Sequence, residues 1–346
     1  MDDFQPPLRL RLDGAALQSN WRWLARQSGA AACGAAVKAD GYGLGARDVM
    51  QRLAQAGCRD FYVSTWAEAD ALMPLAKGLS LSVFHGVRDD DMAYAVGSPA
   101  RPVLNSLDQV RRWLAHCPDR PCDIMVDTGM NRLGLALDDI GDKAIDRLTI
   151  NTLMSHLACA DEDSTMNARQ RDRFAATAAQ FAGARASLAN SAGICLGDEY
   201  AFALTRPGLA LYGGIPRREA VGNITPVAYP ETQILQLRSL TAGETVGYGA
   251  TFTAPTAMTV GIVNAGYADG LYCSLGPSMT LSYRGDHCAI VGRVSMDLIA
   301  IELPDDAREG DWVGIDFDLA VLAQNSPMSQ YELLTGLGQR WDRVWF

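Results

Sequence analysis

Residues 34–64 read GAAVKADGYGLGARDVMQRLAQAGCRDFYVS, and this stretch sets the pattern for much of the chain. A short apolar run, Gly34–Lys38, leads into a glycine-rich loop. A helix-like run over Ala46–Ala56 and a second apolar run, Phe61–Ser64, follow. Short apolar runs that alternate with helical patterns are typical of parallel strands joined by crossover helices. The stretch therefore predicts one β/α unit and the strand that begins the next.

The same unit recurs through the first two thirds of the 346 residues. The candidate strands are Gly34–Lys38, Phe61–Ser64, Leu81–His85, Pro102–Leu104, Asp123–Asp127, Asn151–Ser155, Ala186–Ala189 and Ala203–Arg206. The helix-like stretches are Leu17–Gln27, Ala46–Ala56, Ala67–Lys77, Leu107–Ala115 and Asn167–Ala182. Eight strands are the number that closes a (β/α)8 barrel, so we predict a barrel rather than an open sheet.

The pattern changes after about Pro226, where apolar and polar residues begin to alternate, as in Met279–Arg284. Turn sequences at 242–244 and 284–286 separate these runs. Such alternation is typical of a small β domain with one solvated face. We therefore predict an α/β chain with a barrel over residues 10–225 and a mainly β domain over residues 226–346, with residues 1–9 as a candidate addition to the β domain.

Composition narrows the classes of partner. The net charge is −10, which argues against a nucleic-acid partner because such proteins need a basic surface. No apolar stretch approaches the roughly 20 residues of a membrane span, and Met1–Leu10 lacks the pattern of a secretory signal. The eight cysteines include no CxxC pair. We expect buried free thiols in a reducing cytoplasm, rather than disulfides or a metal site.

Catalytic groups of a barrel gather at the carboxyl ends of its strands. The residues at or just after the predicted strand ends are Lys38, Asp127, Arg132, His156, Asn190, Ser191 and Arg206. A lysine at the mouth of an apolar strand loses hydration, so its pKa falls and its amine can bond covalently to an aldehyde. Taken alone, Lys38 is equally compatible with a surface lysine in a glycine-rich turn.

The segment VKADGYGLG at 37–45 closely resembles the cofactor-lysine motif of the alanine racemases, two-domain pyridoxal 5′-phosphate enzymes with a barrel and a β domain. Further segments resemble the family's motifs in the family's order. They are VDTGMNRLG at 126–134, SHLA at 155–158, ANSA at 189–192, RPGLALYG at 206–213, VGYGAT at 246–251, GYADG at 266–270 and VGRVSMD at 291–297. Several ordered motifs indicate a family far more specifically than one motif does.

The resemblance implies that Lys38 carries the cofactor covalently and that Arg206 faces its pyridine nitrogen. A fixed cation there opposes protonation of the ring nitrogen, which favours return of the proton over side reactions. The resemblance also implies that His156 contacts the cofactor and that the barrel contains a site for the cofactor phosphate. The residues implied for the phosphate are Tyr42, Ser191, Gly208, Leu209 and Tyr331.

Racemisation removes a proton from one face of the α-carbon and returns one to the other, which suits two opposed bases. The resemblance implies Lys38 and Tyr248 as these bases, with Tyr248 coming from the partner subunit of a head-to-tail homodimer. It also implies that Arg132 and the Met296 N–H bind the substrate carboxylate and that Tyr267 narrows the access channel. The implied activity is interconversion of L- and D-alanine, which supplies D-alanine for peptidoglycan.

Two positions depart from the family pattern. Met125 stands where many members have a lysine whose carbamate braces the carboxylate-binding arginine, so we expect the brace to come from elsewhere, such as Asn131 or a bound anion. Leu44 stands where a histidine is common.

Three alternatives stay open. The first is racemisation of serine or another small amino acid. The second is an amino-acid decarboxylase of the same fold type, which Arg206 and Tyr248 oppose because those enzymes use a glutamate and a cysteine for the corresponding tasks. The third is a non-enzymatic cofactor carrier with a single barrel, which the β domain opposes.

Overall fold

The structure is a computed structural model and describes residues 4–276 and 279–346. The chain forms two compact units. One contains residues 17–225, and the other contains residues 4–16 together with residues 226–346. The strand Leu8–Leu12 belongs to the second unit because it pairs antiparallel with Ala228–Leu240. The division after Ala16 therefore falls later than residue 10, where the sequence pattern placed it.

The barrel unit, residues 17–225, contains eight parallel strands, the first of them split into two short segments. In order they are Ala32–Cys33 with Ala35–Ala36, Asp60–Val63, Ser80–Val83, Arg101–Leu104, Cys122–Met125, Ile150–Met154, Arg185–Ser187 and Leu204–Thr205. Neighbours in sequence are neighbours in the sheet, and the eighth strand pairs parallel with the first. Backbone N–H groups of Ala203 and Arg206 donate to Ala186 and Ala189, which joins the last two strands. The ring is closed, and the predicted (β/α)8 barrel is confirmed.

The helices of this unit lie between the strands. The α-helices are Gly14–Gln27, Lys38–Tyr42, Ala46–Ala56, Trp66–Leu72, Met92–Ala95, Leu107–His116, Thr165–Ala178 and Ser191–Ile194. The 3-10 turns are Met73–Leu75, Asp89–Asp91, Leu137–Gly141, Ile145–Arg147, Asp198–Tyr200, Leu209–Tyr212 and Arg218–Ala220. The helix predicted over Ala67–Lys77 becomes 3-10 after Leu72, because Pro74 has no N–H to donate within an α-helix.

Apolar and polar groups share the barrel interior. Buried side chains from five strands form one cluster, which Phe84 joins: Tyr62, Val103, Met125, Met154 and Leu204. The Asp60 carboxylate, on the second strand, pairs with Arg185 on the seventh through two contacts of 2.6 and 3.1 Å. These strands are not neighbours in the sheet. The ion pair therefore links parts of the ring that share no backbone hydrogen bond.

The second unit is mainly β, as predicted. Its strands are Leu8–Leu12, Ala228–Leu240, Thr245–Val246, Phe252–Thr253, Met258–Val263, Leu281–Tyr283, Asp286–Cys288, Ile299–Leu303, Trp312–Ile315 and Asp342–Trp345. The long strand Ala228–Leu240 organises the sheet. Its first half pairs with Leu8–Leu12 and Trp312–Ile315, and its second half, beyond a register shift at Ile234, pairs with Met258–Val263.

Short helical elements complete this unit. They are the α-helices Leu319–Gln324 and Gln330–Thr335 and the 3-10 turns Tyr248–Ala250, Tyr267–Asp269 and Cys273–Leu275. The predicted turn at 284–286 joins two paired strands, and the positive φ of both Arg284 and Gly285 is that of a tight hairpin turn. Among the described residues, no helix combines the length and the apolar character needed to cross a membrane.

We predict that Arg185→Met lowers the free energy of unfolding by about 2 to 3 kcal/mol, because it leaves the buried Asp60 carboxylate without its cation. Urea unfolding followed by circular dichroism measures the change. Arg111→Met removes an exposed arginine whose ion pair with Asp142 lies on the surface, and should cost less than about 0.5 kcal/mol. Equal losses in the two variants would contradict a role for the Asp60 pair in holding the ring together.

Candidate active site

The chain turns sharply after Lys38, which is half-buried just beyond the first barrel strand. Ala39, Asp40, Gly41 and Tyr42 all have φ between 51° and 63°, so they form one left-handed helical turn. This conformation costs about 1 to 2 kcal/mol for each residue other than glycine. The Asp40 carboxylate helps to hold the turn by accepting from Ala46 N at 2.8 Å. Strained backbone of this kind is concentrated at functional sites.

Glu68, on the helix after the second strand, also holds this turn. Its Oε1 accepts from Ala39 N at 2.7 Å, and its Oε2 accepts from Ser64 N and Thr65 N. Burial and the Arg132 guanidinium lower the pKa of the Lys38 amine, and the Glu68 carboxylate opposes them. Glu68 was not predicted as part of the site, although its position three residues after Thr65 is the signature of a helix capping box.

Lys38 belongs to one electrostatic group with Arg132, His156 and Arg206. Arg206 is only 5% exposed, and it donates to the Ser155 carbonyl at 2.6 Å and to the Ser187 hydroxyl. Burial lowers the pKa of His156 to about 3, and Arg206, Arg132 and Lys38 add to the effect. His156 is therefore neutral at neutral pH. No carboxylate pairs with Arg206 or Arg132 among the described residues, so the site attracts anions.

The loop after the fifth strand presents Arg132 to solvent. The Asp127 carboxylate accepts from Gly129 N at 2.7 Å and from Arg132 N at 3.1 Å. Met125 is buried in the apolar cluster, and within the described residues the Asn131 side chain makes no hydrogen bond. The brace that we expected from Asn131 is therefore not found in the described part of the chain.

Polar groups converge where the seventh and eighth strands end. Ser191 is buried, and its hydroxyl accepts from Gly208 N at 2.9 Å and from Ala210 N at 3.2 Å. The Leu209 N–H has no acceptor among the described residues and remains available to a ligand. The Tyr42 ring stacks on Tyr212 with centroids 4.5 Å apart.

Gly208 lies against Tyr42 too closely for any side chain. A Cβ at this position would lie 2.1 Å from the Tyr42 hydroxyl oxygen. The Tyr212 hydroxyl, which our sequence reasoning missed, donates to the Ala36 carbonyl at 2.7 Å. Tyr212 thus ties the Tyr42 ring to the first strand, beside Lys38.

The remaining predicted residues lie in the second unit. Tyr248 is 74% exposed in the turn between two short paired strands, and Tyr331 is 44% exposed on the last helix. The segments of Tyr267 and Met296 run side by side, since Tyr267 N donates to the Ser295 carbonyl and Ala268 N to the Met296 carbonyl, both at 3.0 Å.

The predicted residues thus form two sets. The barrel unit contains Lys38, Tyr42, Arg132, His156, Ser191, Arg206, Gly208 and Leu209, and the second unit contains Tyr248, Tyr267, Met296 and Tyr331.

The donors of the barrel unit fit a cofactor that combines an aldehyde, a ring nitrogen and a phosphate. Lys38 offers an amine with a lowered pKa, and the buried Arg206 offers a cation without a carboxylate partner. The Ser191 hydroxyl and the Leu209 N–H suit an anionic group. Within residues 4–276 and 279–346, no cluster of histidine, cysteine and acidic side chains is arranged to hold a metal ion.

Comparison with known families gives two adjoining matches. The profile of the alanine racemase N-terminal domain matches residues 12–216, and that of the alanine racemase C-terminal domain matches residues 227–345. Together they span nearly the whole chain.

Individual relatives agree with this. The chain is 42% identical to an alanine racemase of Rhodospirillum rubrum, covering 96% of this chain and 94% of that protein. It is 39% identical to both the biosynthetic and the catabolic alanine racemase of Agrobacterium fabrum; the alignments cover 98% and 96% of this chain and 94% and 91% of those proteins.

Solved structures are also similar over their full length. The fold matches an alanine racemase from Bartonella henselae with covalently bound pyridoxal phosphate, with a TM-score of 0.89, 32% identity and coverage of 99% of this chain and 100% of that chain. It matches an alanine racemase from E. faecalis with a TM-score of 0.91, 25% identity and 99% coverage of both chains.

We predict that His156→Gln makes folding less sensitive to acid. Below pH 6.5 the unfolded chain protonates this histidine, whereas the folded chain keeps it neutral down to about pH 3. Acid therefore favours the unfolded state of the wild type, and the variant should lose about 1 to 2 kcal/mol less between pH 7 and pH 5. Urea unfolding at the two pH values measures this. His116→Gln, at an exposed histidine, is the control, and a variant that follows the wild-type pH dependence would contradict the buried neutral state.

Proposed function

This chain belongs to the alanine racemase family, and we propose that it interconverts L- and D-alanine with pyridoxal 5′-phosphate as its cofactor. The main structural support for this activity is the group of side chains around Lys38. Its half-buried amine has a lowered pKa and lies among Arg132, His156 and Arg206. These residues supply a nucleophile for the aldehyde, a cation for the ring nitrogen to face and a cation for the substrate carboxylate.

The cofactor supplies an electron sink for the charge that remains on the α-carbon when its proton leaves. The chain's own residues control that proton and that charge. The lowered pKa of Lys38 increases the fraction of neutral amine, the form that can accept a proton. With the cofactor bound, the Arg206 cation would face the ring nitrogen and oppose its protonation, which would limit the sink and favour return of the proton to the α-carbon.

We assign the second base to Tyr248 of the partner subunit. A phenol has a pKa of about 10 and needs nearby cations to act as a base. In the proposed assembly Arg206 supplies one, with His156 as the neutral hydrogen-bonding link between them. The exposure of Tyr248, on a unit that exposes several other large apolar side chains, supports its placement in an interface.

A head-to-tail homodimer follows from that assignment. The second unit exposes further large apolar side chains, including Leu235, Tyr267, Met296 and Leu298. Exposed apolar groups on one unit favour association with another protein surface. In a homodimer that surface belongs to a second copy of the chain, whose barrel contains the Lys38 site in which Tyr248 would act. We propose that each of the two active sites takes its barrel from one subunit and its Tyr248 from the other.

Substrate selection is assigned to three groups. The Arg132 guanidinium, whose fork fits a carboxylate, binds the substrate together with the Met296 N–H. The Met296 N–H has no acceptor among the described residues, which supports this role. We assign to Tyr267 the narrowing of the access channel, which favours alanine over larger amino acids. The phosphate contacts are assigned to Tyr42, Ser191, Gly208, Leu209 and Tyr331.

We infer that the enzyme works in the cytoplasm and supplies D-alanine for peptidoglycan. The location is supported by free cysteines, several of them buried, which suit a reducing compartment.

The experiment that tests the cofactor assignment is the variant Lys38→Ala. We expect the purified variant to lose the visible absorbance band of covalently bound cofactor, together with alanine racemisation measured by circular dichroism. Lys143→Ala changes an exposed lysine of the same unit and should retain both. A variant at Lys38 with an unchanged spectrum would refute the assignment.

Mixing two inactive variants tests the shared site. Lys38→Ala and Tyr248→Phe homodimers should each racemise alanine very slowly. After random subunit exchange, a mixed dimer has one intact site, so about a quarter of wild-type activity should return. Lys38→Ala mixed with the Lys38→Ala, Tyr248→Phe double variant offers no intact site and is the control. Failure of the first mixture to recover, with subunit exchange verified by mass, would exclude Tyr248 acting across the interface.

A further inference from the structure

The position of the Arg132 guanidinium is set by the backbone of its loop, because no other side chain among the described residues holds it. Its guanidinium is exposed and has no partner within the part of the chain that the structure describes. The Met125 side chain, seven residues before Arg132, is uncharged and buried in the apolar cluster. Whatever orients Arg132 must therefore act on the loop of residues 127–132.

The loop is internally ordered by Asp127, whose carboxylate accepts from the backbone of Gly129 and Arg132. Asn131 lies in the left-handed region with a φ of 56°, and Gly129 has a φ of 135°. These bonds define the shape of the loop. They do not fix the loop relative to the remaining barrel strands, which requires a contact from another element.

The helix Thr165–Ala178, which follows the sixth strand, provides that contact. Met166, Gln170 and Arg173 are spaced by four and three residues, so they lie on one face of the helix. Gln170 Nε2 donates to Thr128 Oγ1 at 3.3 Å, and Arg173 Nη1 donates to the Thr128 carbonyl at 3.1 Å. The helix thus binds the residue that follows Asp127 by both its side chain and its backbone.

The loop packs tightly against the same face of the helix. A Cβ on Gly129 would lie 2.8 Å from Met166 Cε and 3.2 Å from Arg173 Nη1. No side chain fits between the loop and the helix at this point. A shift of the helix face would therefore move the backbone that carries Arg132.

Gln170 also holds the neighbouring loop. It is fully buried, its Nε2 donates to the His156 carbonyl at 2.9 Å, and its Oε1 accepts from Ala158 N at 2.8 Å. The Thr128 and Ser155 hydroxyls, 2.8 Å apart, complete the connection between the loops. One side chain thus locks the loop of Arg132 to the loop of His156.

We propose that Gln170 and Arg173 are positioning residues that hold Arg132 in register for the substrate carboxylate, in the absence of a bracing lysine. The proposal rests on the function proposed for Arg132. It predicts that loosening this brace weakens carboxylate binding while the chemistry at Lys38 proceeds. Neither Gln170 nor Arg173 contacts Lys38 or the turn of residues 39–42 that follows it.

The test uses the purified holoenzyme with Arg173→Met and Gln170→Met. We expect the KM for alanine to rise about fivefold to tenfold for either variant, with kcat within about threefold of wild type. The affinity for propionate, a carboxylate that lacks the reacting amine, should fall by a similar factor. The visible spectrum of the bound cofactor should not change. Arg173→Lys retains a donor for the Thr128 carbonyl and should recover most of the binding.

Matched controls come from the same region. Arg169→Met changes an exposed arginine of the same helix that bonds only to Thr165, and Gln180→Met changes an exposed glutamine just beyond the helix. Both should keep the wild-type KM. Because Gln170 is buried, its variant can fail to fold, and the exposed Arg173 then decides the question.

The outcomes separate this inference from the proposed function. If the wild type binds propionate and racemises alanine, but Arg173→Met leaves both the KM and the propionate affinity unchanged, the brace is refuted and the function stands. If the wild type does not racemise alanine, the function fails. Propionate binding to the variants still measures the brace in that case, and unchanged affinity would overturn it.

Discussion

The closure of the barrel ring is the constraint on which the site depends. Gly34 N donates to the Thr205 carbonyl and Ala36 N to the Pro207 carbonyl, both at 2.9 Å, and these bonds join the first strand to the last. Lys38 and Arg206 follow those strands directly. Without the closure, the lysine and the buried arginine would lie at opposite edges of an open sheet, and no ligand could meet both of them.

The loops at the carboxyl ends of the barrel strands are held in a similar way at two places. Glu68 lies on the helix after the second strand and bonds the backbone of the turn after the first. Gln170 lies on the helix after the sixth strand and bonds the loops after the fifth and the sixth. In both cases a polar side chain on one helix fixes the backbone next to a cationic residue. Neither Glu68 nor Gln170 bonds the Lys38 amine or the Arg132 guanidinium, so both functional groups are left for ligands.

Sequence patterns predicted the repeating architecture well, for local reasons. Ala46–Ala56 was predicted to the residue, since glycines stand at both ends and Gly57 adopts a φ of 119° that ends the helix. The left-handed turn after Lys38 was not predicted, because the bond from Ala39 to Glu68 that holds it joins residues far apart in the chain. For Arg132 the sequence suggested Asn131 or a bound anion as the brace, and the contacts of Gln170 and Arg173 with Thr128 were not predicted because they also join residues far apart in the chain. The roles of Tyr248, Tyr267, Met296 and Tyr331 still rest on motif resemblance, because they lie in a different compact unit.

The cations of the barrel unit make the folding stability of the protein, and hence its lifetime in a cell, depend on its cofactor. Arg206 is desolvated without a carboxylate partner, and its charge opposes protonation of His156. A chain without cofactor holds this unfavourable charge in its core, whereas a bound anion would compensate part of it. By mass action, any ligand that binds only the folded chain shifts the folding equilibrium toward it. The steady-state level of this protein in a cell would then follow the availability of the cofactor, through the rate at which unliganded chains open and are degraded.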